Sequence, residues 1–440
     1  MAVPHAMEAL LNPLPPTDEE ILLELQQHKP VDPLSERNIW AFWDKGLAHV
    51  KPWCQRNIIS WVRRHNRQPG PKWTVRVLDM VPGSPNHYSH FIANTTAFFP
   101  DAFLKQATTG THRAPHAADL IRLPLLHLYG GAWIDVGFTL FRTVDDLCWN
   151  KLAEEASQPA LQLELAGFKM PVADKLDMMW NGFIAARKGS RIVKYWHDTF
   201  LKLWEGKDST QGMNAHPLLQ HLPRYEVPPP PDEAPAFSYA DFVDYLIHMY
   251  CLERVRNNVD DLLDWSGPQY FNQHVYLLDV VSEVYWAQAL TGWDGRKQFE
   301  LLSRQRQRAD VTVNASANAN AEISTSTSPP HENNEAWQEA EAFVQGILDT
   351  SSTMKLGHGL TTEVTQREYL AGIWDKPEHA DADRERGTFA ARLRWASEEF
   401  VQQKELERVY LTMREDARLG GRLLSVVGRA HPDVFPERAT

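Results

Sequence analysis

Residues 116–142 read HAADLIRLPLLHLYGGAWIDVGFTLFR, a helix-length apolar stretch halted by Gly130-Gly131 and followed at once by an apolar, β-rich run. The two glycines are a helix stop, and no polar loop separates helix from strand. Such a helix–strand pair must bury its apolar surfaces in packed layers, and that points to an α/β architecture. The pattern predicts a helix over about 115–129, bent at Pro124, whose missing amide removes one backbone bond. It predicts a strand over 132–136, with a short strand from Thr139 to Phe141 beyond it. Upstream, Asn38-Ile39-Trp40-Ala41-Phe42-Trp43 is short enough for a buried strand, Pro52 opens a helix, and alternation from Trp73 to Leu78 marks a second strand. Strand, helix and strand at this spacing form a parallel βαβ unit. The expected fold is α/β: a Rossmann-type sheet flanked by helices.

Chemistry concentrates in the same segment. Asp119 and Arg122 lie three residues apart and share one helix face with His116. Asp135 ends an apolar strand at its carboxyl edge, outside which open α/β sheets bind their ligands. A carboxylate there can ligate a divalent cation that holds a diphosphate and neutralises charge on a departing phosphate. Each feature alone has a plainer reading. Asp119 with Arg122 is also a solvated helical ion pair worth about 0.3–0.5 kcal/mol. Asp135 and Gly137 are also turn formers. The order of the features carries the weight.

The 440 residues, 43% hydrophobic, suffice for one large domain with insertions or for two domains. A net charge of −12 lacks the basic surplus of a nucleic-acid binder. A few arginines and helix ends still suffice for an anionic nucleotide. Cys54, Cys148 and Cys251 show no paired spacing, which fits a reducing compartment. The opening residues lack a signal peptide's basic start and apolar run, and no stretch has the length of a membrane span. The cytoplasm is the expected location, where the acceptor-like triplets at Asn94 and Asn314 would stay idle.

Residues 1–36 read as a lead-in with a helix over about Asp18 to His28, and 37–304 as the main domain. Within it, Leu161 to Leu165 reads as a strand and Gly189 to Trp204 as a helix. Residues 305–334, rich in Asn, Ala, Ser and Thr, read as a disordered insertion. Residues 335–362 form a further segment, and 363–440 read as helical. A dinucleotide-binding dehydrogenase is excluded, because no G-x-G-x-x-G follows the first strand.

The series D-L-I-R-L…Y-G-G-A-W-I-D resembles the donor-site core of glycosyltransferase family 32, in the branch called capsular polysaccharide synthesis proteins. NIWAFWDKG, WTVRVLD, NGFIAARKGS, Trp265-Ser266-Gly267-Pro268 and Met354-Lys355-Leu356-Gly357-His358 resemble further family blocks, together spanning about 38–360 with gaps. The resemblance implies a GT-A fold, a UDP- or GDP-sugar donor, a small-molecule or glycan acceptor, and retaining transfer of a hexosyl group. It implies that Asp119 and Arg122 contact the donor's sugar and ribose, and that Asp135 holds Mn²⁺ or Mg²⁺. It places Trp133 near the nucleotide, Trp40 beside the base, and Asn181 among the donor-binding residues.

The chain departs from the frequent Asp-x-Asp pattern: Asp135-Val136-Gly137 lacks the second carboxylate. A metal there would need another protein ligand, and His358 is the candidate, because the late motif returns to the active site. Arg113, Lys169, Arg187 and Lys188 are further cations that could serve the phosphates or only the surface. A second reading is an inactive homologue that binds a nucleotide sugar or glycan as scaffold or sensor.

Overall fold

The structure, a computed structural model, describes residues 15–67, 70–154, 162–173, 176–222, 239–306, 332–357, 368–413 and 418–425. Its strands are β1 (Asn38–Phe42), β2 (Thr74–Leu78), β3 (Gly131–Ile134), β4 (Phe138–Leu140), β5 (Leu165–Ala173), β6 (Leu176–Ala186), β7 (Asn258–Asp260), β8 (Trp265–Ser266), β9 (Val275–Asp279), β10 (Thr353–Lys355) and β11 (Leu419–Gly420). The central sheet has the order β2-β1-β3-β6-β5-β9. Pairs β1–β2, β1–β3 and β5–β9 are parallel, while β6 runs antiparallel to both neighbours. The parallel βαβ start and the helix-to-strand switch at Gly130 therefore lie where the spacing put them. Their carboxyl ends share one edge.

All five residues of β1 are buried. A strand covered on both faces loses polar alternation and reads as a continuous apolar run. The covering helices are α1 (Asp18–Leu25), α2 (Pro52–Arg67), α3 (Arg113–Tyr129), α4 (Arg191–Leu203), α5 (Ile247–Asn257), α6 (Glu332–Thr350) and α7 (Phe389–Glu399). Among the largest completely buried side chains are Trp40, Trp53, Trp61, Trp133 and Trp196, so much of the tryptophan content is core.

Several boundaries differ from expectation. α1 stops at Leu25, ahead of His28. The strand expected over 161–165 begins only at Leu165 and runs to Ala173. Most of the expected disordered insertion lies outside the described residues. Its flanks do not: the Arg306 amide donates to the Gly387 carbonyl at 2.7 Å, and α6 starts at Glu332.

The C-terminal region is less helical than its composition suggested. After α7 the chain runs extended, and the Val409 amide donates to the Leu277 carbonyl of β9 at 2.8 Å. Arg408 adds a hydrogen bond to the Val275 carbonyl at 2.7 Å. β9 is the sheet's outer strand, and covering its open peptide groups overrides the helix propensity of this segment.

Candidate functional site

α3 delivers His116, Asp119 and Arg122 on one buried face. Asp119 Oδ1 accepts from Arg122 Nη2 at 3.0 Å and from Asn181 Nδ2 at 3.2 Å. Its Oδ2 accepts from His116 Nδ1 at 3.3 Å, and the Thr210 hydroxyl closes the chain on His116 Nε2 at 3.0 Å. His248, from α5, stands 3.7 Å from Asp119 Oδ1. Burial works to raise the Asp119 pKa, but the Arg122 guanidinium, then His248 and His116, outweigh it and hold the carboxyl at about 2. Burial pushes His248 down to about 3, against the pull of Asp119, so it is neutral at pH 7.

Arg122 is locked from several sides. It donates to the Asn181 carbonyl, and its Cζ lies 4.9 Å from the centroid of the Trp133 ring. Nη2 also comes within 3.9 Å of Asp135 Oδ1, which links this buried knot to the more open carboxylate.

Asp135 follows β3 directly. Its amide donates to the Gly182 carbonyl at 3.0 Å, and its Oδ1 accepts from Trp133 Nε1 at 3.0 Å. Its Oδ2 accepts from Lys355 Nζ at 2.7 Å. Lys355 ends β10, which pairs antiparallel with β4 and sets Lys355 opposite Phe138. The ammonium lies 4.5 Å from the Trp180 ring centroid and 5.7 Å from that of Phe138. A Cβ on Gly182 would lie 2.6 Å from the Trp180 ring and 3.0 Å from Nζ, so this glycine leaves room for the ring and the lysine together.

Helix α2 anchors the backbone beyond Asp135. Asn57 Nδ2 donates to the Val136 carbonyl at 3.1 Å, and Trp61 Nε1 donates to the Phe138 carbonyl at 3.0 Å. Two tyrosines feel the site's charge. Burial, then Asp119 and Asp135, push Tyr245 up to about 12, and burial with Asp135 raises Tyr285 further.

The structure therefore brings Asp119, Arg122, Trp133, Asp135 and Asn181 together. Trp40, expected beside the base, lies in the core of the first strand. It is completely buried, its indole donates to the Gly130 carbonyl at 3.0 Å, and it supports the glycine turn. Trp133 is 1% exposed and serves as a shelf for Arg122 and a donor to Asp135. Lys169 pairs with Asp177 at 3.0 Å and Arg187 with Glu36 at 3.0 Å, while Arg113 stays exposed. Lys355, His248, Tyr245 and Tyr285 were not among the candidate residues. Only Lys355 had a signal, as part of the late motif.

A divalent ion fits this donor set poorly. One Asp135 oxygen already carries an ammonium and the other an indole N–H. Among the described residues no three His, Cys, Asp or Glu side chains gather at a possible metal position. His358, the expected second ligand, lies outside the described residues.

The mixed α/β sheet places charged pairs at the carboxyl edge of its parallel strands, the edge outside which open α/β sheets bind their ligands. The family described as "Capsular polysaccharide synthesis protein" matches residues 5–213. Glycosyltransferase afumC of Aspergillus fumigatus is 50% identical over 411 residues, spanning 93% of this chain and 97% of that protein. O-glycosyltransferase braB of Annulohypoxylon truncatum is 40% identical over 89% of this chain and 86% of its own length. O-glycosyltransferase PaGT of Phomopsis amygdali is 35% identical over 90% of each chain. The chain belongs to this family of glycosyltransferases. Among the described residues no helix is long and apolar enough to cross a membrane.

Proposed function

We propose that this chain transfers a hexosyl group from a UDP- or GDP-sugar to a hydroxyl of a small-molecule or glycan acceptor, with retention, on a GT-A-type domain of the family-32 kind. The observation that carries this reading is the Asp135–Lys355 pair at the carboxyl edge of β3, continuous with the buried Asp119–Arg122 pair. The O-linkage draws on two relatives named O-glycosyltransferases. Cytoplasmic work suits three free, buried cysteines. The inactive alternative draws on the missing second carboxylate alone, and Asp119, Arg122 and Asp135, all present and interlocked, weigh against it.

In transfer, the bond between the anomeric carbon and the phosphate oxygen breaks, and its electron pair leaves with the phosphate. The acceptor oxygen bonds that carbon, and its proton passes to the released phosphate. Charge grows on the leaving group, and cations already held in position stabilise it without reorganising. Asp135 borders the donor in this reading, and Arg122, 3.9 Å behind it, fixes its position. Asp119 acts through Arg122, and Asn181 orients both.

The test is a panel of UDP- and GDP-sugars with hydroxyl acceptors, scoring nucleoside diphosphate release and the product's anomeric configuration. Acceptor-dependent release with the donor's configuration kept is expected. Silence across the panel would overturn the reading, whereas an inverted product would remove retention alone.

A further inference from the structure

We propose that the Lys355 ammonium, seated on Asp135, is a built-in cation that receives the donor's diphosphate where a second carboxylate and its metal would otherwise lie. This rests on the donor reading above and names what would hold its phosphates.

The first support is Gly137, which stands where Asp-x-Asp would place its second carboxylate. A Cβ there would lie 2.6 Å from the Leu356 carbonyl oxygen, a backbone atom with little freedom to retreat. The Leu356 amide in turn donates to the Gly137 carbonyl at 3.1 Å. The end of β10 therefore fills the space that a side chain at 137 would need. The same three-residue strand carries Lys355 onto Asp135. Loss of the second carboxylate and gain of the ammonium are two results of one packing arrangement.

The second support is how firmly the lysine is held. Trp180 and Phe138 flank the ammonium, and Gln288 Nε2 donates to the Lys355 carbonyl at 2.7 Å. The faces of two aromatic rings attract an ammonium and help hold it in place.

The third is access. The Lys355 and Asp135 side chains are 16% and 28% exposed, against 5% and 6% for Arg122 and Asp119. An ammonium has three donors. Among the described residues Asp135 is the one hydrogen-bond acceptor Nζ meets, which leaves donors for phosphate oxygens. A tie serving only to fasten β10 to the sheet has no need of this exposure.

In the transfer step Lys355 gives up no proton. It stabilises the electron pair that arrives on the phosphate when the anomeric bond breaks, and the acceptor's proton balances the released diphosphate.

The test is titration calorimetry of UDP and GDP in EDTA, using the full chain, Lys355→Met and Lys355→Arg, with thermal unfolding of each. The unaltered chain is expected to bind one of the two nucleotides in EDTA. Lys355→Met should weaken that binding at least about tenfold, as loss of a charge-assisted hydrogen bond does, while Lys355→Arg keeps most of it. Equal affinity in Lys355→Met, with or without a lower melting temperature, would reduce Lys355 to a structural tie and leave the donor reading standing. Binding abolished by EDTA and restored by Mn²⁺ would assign the phosphates to a metal. That arm needs no variant, so it decides even if Lys355→Met fails to fold. If neither nucleotide binds with or without Mn²⁺, both readings fall together.

Discussion

Asp119 and Arg122 form an ion pair whose side chains are 6% and 5% exposed, whereas Asp135 and Lys355, beginning 3.9 Å away, are 28% and 16% exposed. The buried pair sits in a knot with His116, Asn181, Thr210 and His248. The open pair ends in an ammonium with donors to spare. Both pairs hold one acid and one base, so charge alone does not separate them; burial does. A buried pair missing one partner leaves a desolvated charge behind, while an open pair can exchange its partner for a ligand or for water. The inner pair therefore sets geometry and the outer pair meets substrate.

The largest expected effect on turnover falls on the open pair. Asp135→Asn should lower transfer by about 10²-fold or more, the scale of losing a preorganised charge contact, with the melting temperature nearly unchanged. Initial rates beside thermal unfolding check this, and a large loss of stability would erase the distinction between the pairs. Arg122→Ala should show the reverse emphasis. Removing the guanidinium strands Asp119, for about 3–5 kcal/mol of stability, read from urea unfolding. A variant as stable as the parent would mean that the inner pair is not structural.

Gly137→Ala sharpens the contrast by pushing on β10 without touching either pair. Its Cβ meets the Leu356 carbonyl at 2.6 Å, so about 1–3 kcal/mol is expected from overpacking, with nucleotide affinity falling as Lys355 is displaced. An unchanged affinity would detach Lys355 from that strand's position.

The smallest effect is a pH response confined to the inner pair. Burial lowers the His248 pKa to about 3, so the unfolded chain takes up its proton first as pH falls. His248 therefore costs stability progressively below the ordinary imidazole value near 6.5, down to about 3. Between pH 7 and 6 its share is about 0.5–1 kcal/mol, and unfolding of His248→Gln against the parent at both values measures it. Asp119 acts later: its stabilisation is complete above about 4 and fades as pH falls through about 2.

The inner pair was legible because it is local. Helix periodicity, Gly130-Gly131 and an apolar strand lie within one short segment, and i,i+3 spacing fixes which residues share a face. Lys355 meets Asp135 across 220 residues through a three-residue strand, and no periodicity forms over so short an element. The place of Trp40 beside a base came from the resemblance alone, because a strand that is apolar on both faces has no alternation to say which way a ring points. The charged stretch after Glu399 suits a helix by composition, but its conformation depends on the open edge of β9, a property of the assembled sheet.

The most direct measurement is a crystal structure with UDP or GDP, whichever binds, grown in EDTA. A phosphate oxygen within about 3 Å of Lys355 Nζ, with the Asp119–Arg122 bond intact, is the predicted result. A diphosphate seated on the Asp119–Arg122 pair, with Lys355 still closed on Asp135, would contradict the division of the site into a scaffold and a reactive edge.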